Sequence, residues 1–333
     1  MLLERVTYIR SLPAHKLTPT PARVCRDGSL LRQQLPADVP DPDSHPGDTG
    51  SGGPKGNPGS VGQITTSGKV TLYTGGGIDG PAGITVGPDG ALWFTNSTGN
   101  SVGRITSKGK ITSYTARGIV NPLGITSGPV GDLWFTNAYN PGSFGLITTS
   151  RKITLHTSTD IDDPVGIVAG PGGTVWVTNA GTKTTKGSIA VLTANGKIRA
   201  YSNGSIEEPW GITIGPDKHI WFTNYSGNSI GRITTGGVGK IFTGTGTGTG
   251  TGIGIDAPYS ITAGPDGALW FTNYSGNSIG RITVNGKVTD FTRTGIDGPT
   301  GITTGPDGAL WFTNSGNNSI GRITPGGKVT NYT

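Results

Sequence analysis

The chain has little of the residue types that build disulfides, membrane spans and metal sites. Among its 333 residues there are one cysteine, Cys25, and four histidines. A lone cysteine cannot form a disulfide within the chain, so no oxidising compartment is indicated. No apolar run reaches the length that spans a bilayer. Glu4, Arg5 and Arg10 lie where a secretory signal would be apolar, so we expect a cytoplasmic protein if Met1 is the true start.

Apolar and charged residues are also scarce, at 32% and 14%, whereas 60 residues are glycine. Such a composition cannot build one thick core, but it can build many small and similar ones. The net charge is +6, yet the basic residues are spaced evenly and no nucleic-acid-binding signature is present. We therefore expect no nucleic-acid partner, no membrane partner and a monomer.

One stretch of sequence recurs along most of the chain. Residues 267–283 read GALWFTNYSGNSIGRIT, and near-copies lie at 90–106, 131–148, 173–193, 218–234 and 308–324. Their tryptophans are 41, 42, 45, 49 and 41 residues apart, and the two longest intervals contain the insertions GTKTTKG (181–187) and GTGTGTGTG (244–252). A period near 41 residues indicates a repeat architecture.

Each repeat contains four short segments with the character of β-strands. In the unit around Trp93 these are GITVG, ALWFTN, SVGRIT and KITSYT. The intervening GPDG and SKGK are typical of tight hairpins. Four antiparallel strands per unit, repeated around a ring, predict an all-β β-propeller, in which ring closure protects the sheet edges.

The first repeat is incomplete. Third and fourth strands occur seven times, beginning with VGQITTSGKVTLYT at 61–74, whereas first and second strands occur clearly six times. We predict seven blade positions within 61–333, with six four-stranded blades and a partial or degenerate first blade. Residues 1–60 are predicted to be a disordered or poorly ordered extension, in which CRDGSLL (25–31) weakly resembles GPDGALW. The alternatives are six whole blades plus a half blade, or a misplaced start or frameshift before Val61.

Strand alternation assigns each connection to one of two ends of the propeller. The hairpins after first and third strands share one end, the turn face, and the remaining loops share the other, the loop face. A lysine opens every fourth strand at the turn face, near the aspartates of the GPDG hairpins. These lysines are either a basic rim for an acidic partner or solvated edge protection. They are Lys69, Lys110, Lys152, Lys197, Lys240, Lys287 and Lys328.

The loop face carries residues that differ between repeats. Acidic residues, among them Asp163 and Glu208, precede a proline, and the residue after the proline points toward the ring axis. That residue is Trp210 in one repeat and Tyr259 in the next. The aromatic pair either stacks on a sugar or planar ring or fills the tunnel mouth. The carboxylates either hold a cation or fix the turns.

An asparagine ends the second strand of all six clear repeats. These residues are Asn96, Asn137, Asn179, Asn224, Asn273 and Asn314. A carboxamide does not titrate near neutral pH, so these positions cannot move a proton. Each amide either bonds the loop backbone or helps to line the tunnel mouth for a polar ligand.

The motif GITxGPDGALWFTN…GNSIGRIT resembles the streptogramin B lyase family, also called virginiamycin B lyases, over residues 61–333. The resemblance implies a seven-bladed propeller. In active members it implies a magnesium-dependent lyase that opens a cyclic depsipeptide antibiotic by elimination across a C–O ester linkage. It also implies a histidine after the proline in some blades and a glutamate after the Trp-Phe-Thr triplet. This sequence has neither, and its histidines are His15, His45, His156 and His219.

We therefore predict no catalytic residue and no metal ligand. The expected function is a scaffold that binds a small polar or aromatic ligand, or a protein, at the loop face. The predicted binding residues are Trp210, Tyr259, Asn179, Asn224, Asn273, Asp163 and Glu208. The alternative is an active carbon–oxygen lyase for streptogramin B antibiotics, with magnesium as cofactor and with carboxylates such as Asp163 and Glu208 replacing the missing groups.

Overall fold

The structure, a computed structural model, describes residues 59–138, 142–181, 186–193, 195–244 and 254–333, and the backbone of residues 5–10. These residues form six four-stranded antiparallel sheets, one three-stranded sheet and one short 3-10 turn at Pro171–Gly173. The four-stranded sheets are called blades 1 to 6 in chain order. The predicted all-β propeller is thereby confirmed, with six blades. None of the described helical segments is long and apolar enough to cross a membrane.

The strand bounds repeat from blade to blade. The three-stranded sheet contains β1 (Arg5–Arg10), β2 (Ser60–Thr65) and β3 (Val70–Tyr73). Blade 1 contains β4 (Pro81–Val86), β5 (Leu92–Asn96), β6 (Ser101–Ile105) and β7 (Ile111–Tyr114). Blade 2 contains β8 (Pro122–Ser127), β9 (Leu133–Asn137), β10 (Ser143–Ile147) and β11 (Ile153–Thr157). Blade 3 contains β12 (Pro164–Gly170), β13 (Thr174–Asn179), β14 (Ser188–Leu192) and β15 (Ile198–Tyr201).

The last three blades follow the same plan. Blade 4 contains β16 (Pro209–Ile214), β17 (Ile220–Asn224), β18 (Ser229–Ile233) and β19 (Gly239–Phe242). Blade 5 contains β20 (Pro258–Ala263), β21 (Leu269–Asn273), β22 (Ser278–Ile282) and β23 (Val288–Phe291). Blade 6 contains β24 (Pro299–Thr304), β25 (Leu310–Asn314), β26 (Ser319–Ile323) and β27 (Val329–Tyr332).

The register of each blade separates the two faces of the propeller. The proline that opens a first strand lies opposite the asparagine that ends the second, as Pro209 does with Asn224, and a bulge follows the proline. First strands of consecutive blades contact one another, so these strands lie innermost. Trp210 therefore lies at the loop-face end of β16, and the hairpin 215–219 lies at its turn-face end.

The core is divided among the contacts between neighbouring blades. Trp221 and Phe242 of blade 4 pack with Leu269 and Phe271 of blade 5 in one buried cluster, and equivalent clusters follow around the ring. This arrangement is how a chain with 32% apolar residues buries enough of them: each small core is shared by two sheets.

Threonines of the second strands join each of blades 1 to 5 to the following blade. The hydroxyl of Thr178 donates to the carbonyl oxygen of Trp210 at 2.7 Å, and that of Thr223 donates to the carbonyl oxygen of Tyr259 at 3.0 Å. The acceptor is in each case the residue after the proline of the following blade. These bonds fix the backbone from which the variable loop-face side chains project.

The turn face carries a repeated Asp-Trp-Arg contact. In blade 5, Trp270 Nε1 donates to Asp266 at 3.0 Å and Arg281 Nε donates to the other carboxylate oxygen at 2.6 Å. Burial alone would raise the pKa of Asp266, but hydrogen bonds from Trp270, Arg281 and the Ala268 backbone outweigh it and hold that pKa below its ordinary value. The aspartates of the GPDG hairpins thus have a structural role.

The three-stranded sheet lies between blade 6 and blade 1. Ile64 packs with Trp311, Ile320 and Tyr332 of blade 6, whereas Val61 packs with Phe94 and Ile105 of blade 1. Strand β1 pairs with β2 from Arg5 opposite Thr65 to Arg10 opposite Ser60, the place that second strands occupy in the six blades. The rest of the predicted extension, including CRDGSLL, lies outside the described residues, so the proposed division at residue 60 stays a prediction.

Lys240 departs from the predicted position of the turn-face lysines. The backbone of Thr106 donates to Lys110 and that of Thr283 donates to Lys287, whereas Thr234 donates to Val238. Two extra residues in GGVGK shift Lys240 along the strand, where its Nζ lies 4.8 Å from the ring centroid of Phe242. Val238 therefore takes the hairpin position in blade 4.

Candidate functional site

Four aromatic side chains meet at the loop face of blades 4 and 5. The ring centroids of Trp210 and Tyr259 lie 4.8 Å apart with their planes tilted by 40°. Tyr225 lies 5.7 Å from Trp210, and Tyr274 lies 6.3 Å from Tyr259. We call these four residues the aromatic cluster. The structure thus brings the two predicted aromatic residues together and adds two tyrosines.

The two added tyrosines could have been found in the sequence. Tyr225 and Tyr274 directly follow Asn224 and Asn273, in the segment TNYSG. The other four repeats have a serine or alanine at this point: Ser97, Ala138, Ala180 and Ser315. Only the two repeats with an aromatic residue after the proline also have one at this position. That coincidence in the sequence indicates an aromatic cluster of four side chains.

The polar atoms of the cluster are not all used by the protein. Trp210 is 5% exposed, and its indole Nε1 has no hydrogen-bond partner within the described part of the chain. Burial raises the pKa of Tyr259 well above its ordinary value, and the neighbouring Tyr225 and Tyr274 raise it further. The phenol of Tyr259 therefore stays protonated. A buried N–H without an acceptor costs about 1–3 kcal/mol, so an acceptor supplied from outside would be favourable.

Carboxylates flank the aromatic cluster. Asp163 and Glu208 each precede a first-strand proline and have positive φ angles of 48° and 50°. The hydroxyl of Ser226 donates to the carboxylate of Glu208. Burial, followed by the carboxylates of Asp162 and Glu208, raises the pKa of Asp163 to about 6. The mutual repulsion of these acids favours a cation beside them.

The positive φ of Asp163 and Glu208 is itself costly. A residue before proline is normally extended, and a non-glycine residue in the left-handed region costs about 1–3 kcal/mol. Gly80 and Gly298 occupy the same place in blades 1 and 6 at φ 59° and 53°. Asn121 and Ala257 have φ angles of 45° and 44° at this place in blades 2 and 5, so the positive φ belongs to the repeated turn and not to the two carboxylates in particular.

The asparagines are buried and bonded to their own loops. The amide nitrogen of Asn273 donates to the carbonyl oxygen of Gly254 and to Ser278 Oγ, both at 2.9 Å, while its Oδ1 accepts from the backbone of Asp256 at 3.1 Å. Asn179 and Asn224 make the same two donations, and all three side chains are at most 1% exposed. Such bonds close the loops of the loop face.

Two of these asparagines have a buried amide oxygen that accepts no hydrogen bond from the described residues. In the described chain, Oδ1 of Asn179 and Oδ1 of Asn224 have no hydrogen-bond partner. These are the asparagines of blades 3 and 4, whose loops contribute Asp163 and Glu208. The prediction that Asn179, Asn224 and Asn273 bind a ligand remains untested, and a direct contact would require these loops to open.

The described residues do not form a protein-built magnesium site. No three His, Cys, Asp or Glu side chains within them converge as metal ligands do. Asp163 and Glu208 provide two neighbouring carboxylates, and a pair of this kind holds magnesium only together with several waters or substrate oxygens.

The comparison with known proteins agrees with the motif. The model of the virginiamycin B lyase family matches residues 55–243 and 238–333. The chain belongs to this family. A streptogramin B lyase structure shares 33% identity over 76% of this chain and 82% of its own, with a TM-score of 0.68. No curated protein sequence matches the chain.

A second family member is known in an inactive form. The virginiamycin B lyase from Staphylococcus aureus, in a catalytically inactive histidine-to-alanine variant with quinupristin, shares 36% identity with this chain. The similarity covers 76% of this chain and 83% of that chain, with a TM-score of 0.67.

This member of the virginiamycin B lyase family has no histidine near the aromatic cluster among the described residues. His156 lies on an outer strand, where its ring is 5.4 Å from that of Trp134, and His219 lies in a turn-face hairpin beside Asp217. The positions after the six prolines hold Ala82, Leu123, Val165, Trp210, Tyr259 and Thr300. Of the two described carboxyl groups whose pKa is raised to about 6, Asp163 lies in a loop of the loop face and Asp290 lies on an outer strand beside Asn273.

A second carboxyl group, Asp290 on the outer strand of blade 5, is buried without a cation. It is 6% exposed and accepts from Asn273 Nδ2 at 3.2 Å, and its Oδ2 has no partner in the described chain. Burial raises its pKa to about 6, against the opposing hydrogen bonds from Ser278, Asn273 and the Gly254 backbone. At neutral pH this carboxylate is therefore ionised, and its charge lowers the stability of the folded state.

Replacing Asp290 by Asn should stabilise the protein at neutral pH. Because the folded pKa is raised, the folded state binds its proton more tightly, so this acid favours folding below about pH 4 and opposes it as pH rises through 6. We expect D290N to raise the free energy of unfolding at pH 7 by roughly 2–3 kcal/mol. Urea titrations at pH 7 and pH 4 should show this gain shrinking toward zero at the lower pH. A variant less stable than the parent at pH 7 would refute the assignment.

Proposed function

We propose that this protein is a binding member of the virginiamycin B lyase family, which holds a ligand at the loop face without opening it. The ligand has an aromatic or apolar face and a positive charge. The observation that carries this proposal is the aromatic cluster, whose buried indole N–H lacks an acceptor in the described chain.

Stacking would supply most of the affinity. Trp210 and Tyr259 come from neighbouring blades and present tilted rings 4.8 Å apart, with Tyr225 and Tyr274 at their sides. Aromatic pairs contribute about 0.5–1.5 kcal/mol beyond the area that they bury. The indole Nε1 of Trp210 would give the ligand an oriented donor.

Charge would select among aromatic ligands. Asp163 and Glu208 flank the cluster, and further carboxylates of the loop face include Asp162 and Glu207. A cation near Asp163 would favour its ionised form and would lower its pKa. Binding of a cationic ligand should therefore weaken as the pH falls through about 6, whereas a neutral ligand should show no such change.

Elimination is disfavoured by the residues at the loop face. The reaction requires a base for a proton beside a carbonyl group and an acid for the departing carboxylate. The asparagines that end the second strands donate to loop carbonyls and titrate at no accessible pH. Trp210 and Tyr259 occupy post-proline positions with an indole and a raised-pKa phenol, neither of which is a base near neutrality.

Changing Trp210 and Tyr259 together to Ala should abolish binding of aromatic amines. Truncating an aromatic anchor typically costs 2 kcal/mol or more, about 30-fold in affinity. We would titrate tryptamine and quinupristin calorimetrically into the parent, into W210A/Y259A and into L123A/V165A. The last variant alters the same post-proline position in blades 2 and 3 and should bind as the parent does. Equal affinity of the parent and W210A/Y259A would place the site elsewhere.

One observation favours a second function, the active lyase. The pKa of Asp163 of about 6 suits a carboxylate that accepts a proton near neutral pH. It would take the proton from the carbon beside the carbonyl, and a C=C bond would form as the C–O ester bond breaks. The departing carboxylate would take up a proton, so the ring-opened acid would have the mass of the parent compound. Incubation of quinupristin with magnesium, followed by chromatography and mass spectrometry, tests this. A new peak of unchanged mass that D163N abolishes would support the lyase, and no peak at high protein concentration would exclude it.

We also propose that the ring has seven positions, with the three-stranded sheet in the seventh. Its support is the packing of Ile64 on blade 6 and of Val61 on blade 1. Thr313 of blade 6 adds to it, because its hydroxyl pairs with Thr300 Oγ1 at 2.7 Å instead of a carbonyl of a following blade. Sevenfold projections in electron micrographs of the protein would support this ring, and sixfold projections would overturn it.

A further inference from the structure

The two faces of the propeller carry opposite charge. Of the described Lys and Arg residues from 59 onward, Arg117, Lys186 and Arg293 lie at the loop face, and the other fifteen lie at the turn face. Of the fourteen described carboxylates, five lie at the turn face and eight at the loop face, and Asp290 is buried on the outer strand of blade 5. The described turn face thus has a net charge of +10 and the loop face one of −5.

Four of the five acidic side chains of the turn face pair with an arginine, and the fifth is Asp132. Asp89, Asp266 and Asp307 pair with Arg104, Arg281 and Arg322 at 2.6–2.7 Å. Asp217 pairs with Arg232 at 3.3 Å. The six lysines that open fourth strands and Lys240 within β19 are all exposed, and none of them forms an ion pair with a described carboxylate. The charge available to a partner is therefore almost entirely positive.

Two apolar side chains project from the same face. Val130, at the tip of the first hairpin of blade 2, is 77% exposed, and Val238, in the second hairpin of blade 4, is 72% exposed. They are the two most exposed large apolar side chains of the described chain. Both occupy places where other blades have a charged residue, Asp89 or Lys110 in blade 1.

We propose that the turn face adsorbs to an anionic lipid bilayer, with the lysines on headgroup phosphates and the two valines inserted between headgroups. Basic residues near a membrane surface attract anionic lipid, and a few apolar side chains add to that attraction. The sequence led us to expect no membrane partner because no segment spans a bilayer, but adsorption of one face needs no span. The loop face would then point away from the bilayer and remain open to its ligand.

The arrangement favours a flat anionic surface over a nucleic acid. The lysines are spread around the rim of the turn face, one per sheet, so a linear strand would reach few of them at once. The aromatic rings near this face are stacked on scaffold tryptophans, as Phe291 is on Trp270 at 5.3 Å, and are not free to stack on bases. Exposed valines contribute to lipid binding and not to phosphate contacts.

Vesicle co-sedimentation with the full chain tests the proposal. We expect binding to phosphatidylcholine vesicles that contain about 30% phosphatidylglycerol at about 0.1 M NaCl, and none to pure phosphatidylcholine. The variant K110Q/K197Q/K287Q should bind about 100-fold more weakly, from roughly fivefold per lysine. The charge-matched control R117Q/K186Q/R293Q, altered at the loop face, should bind as the parent does. V130S/V238S should bind about tenfold more weakly with an unchanged dependence on salt.

Several results would overturn the proposal. Failure to bind the anionic vesicles is one, and equal losses for the two triple variants is another, because net charge alone would then explain binding. A single-stranded oligonucleotide of about 30 bases is longer than the site of one nucleic-acid-binding fold. Binding of this oligonucleotide without vesicle binding would assign the face to nucleic acid. Salt-sensitive self-association without lipid would assign it to the loop face of a second copy. Circular dichroism of each variant checks that these exposed substitutions leave the fold intact.

Discussion

Replacing Gly280 by Ala should lower the free energy of unfolding by about 3 kcal/mol or more. Gly280 lies opposite Phe271 on the neighbouring strand, and a Cβ at Gly280 would stand 2.1 Å from the ring atom Cζ of Phe271. Phe271 is 0% exposed, so its ring cannot move aside. The glycine is required here by the close approach of the ring.

One blade of the protein already has an alanine at the position that corresponds to Gly280. In blades 1, 2, 4, 5 and 6 the second strand has a phenylalanine and the third strand a glycine opposite it. Blade 3 has Val177 opposite Ala190, and both residues are 0% exposed. The smaller valine leaves the space that the alanine methyl group fills.

A double-mutant cycle in blade 5 measures this coupling. F271V alone should cost about 2–4 kcal/mol through the cavity that it leaves. F271V/G280A should be more stable than G280A, with a coupling energy of about 2 kcal/mol or more, because the pair reproduces blade 3. Urea unfolding of the four proteins gives the value. Additive losses would show that the ring and the glycine do not compete for the same space.

Changing Asn273 to Asp should cost about 3–5 kcal/mol at pH 7. The amide nitrogen of Asn273 donates to Gly254, to Ser278 and to Asp290 at 3.2 Å. A carboxylate of the same shape cannot donate, and it would face a carbonyl oxygen and a second carboxyl group in a buried place. Its folded pKa would be raised, so the lost stability should return as the pH falls toward 4.

A matched variant separates the lost donor from the repulsion between two acids. Asn96 makes the corresponding donations to Gly77 and Ser101 in blade 1, where Ser113 replaces Asp290. N96D should therefore be less costly than N273D at pH 7, and the difference should disappear in a D290N background. Equal costs at the two sites would mean that Asp290 does not contribute to the effect.

These predictions show how far the repeat can be interpreted from sequence. The position of Trp93 and its copies defines the period, and the alternation of strands places Trp210 and the GPDG hairpins at opposite ends, as the register shows. Such features are local or periodic, and each copy of the motif confirms the others. The six blades could therefore be predicted.

Several features that the sequence did not predict depend on contacts made only in the folded chain. Tyr225 and Tyr274 join the aromatic cluster because consecutive blades bring their loops together. The raised pKa of Asp290 arises from its burial on an outer strand. Lys240 is shifted along its strand because the hairpin before it contains two inserted residues. The hairpin hydrogen bond then falls on Val238 and not on the lysine. None of these follows from the pattern within one repeat.

The most direct test of the loop-face site is the indole region of the 1H–15N spectrum during titration with tryptamine and with quinupristin. The chain has seven tryptophans. Six belong to the second strands and one, Trp210, has a buried Nε1 without a partner in the described chain. We predict that the Trp210 indole signal, assigned with W210F, moves in a saturable way while the six scaffold signals stay in place. A titration in which the Trp210 signal remains fixed with both compounds would contradict a ligand site at the aromatic cluster.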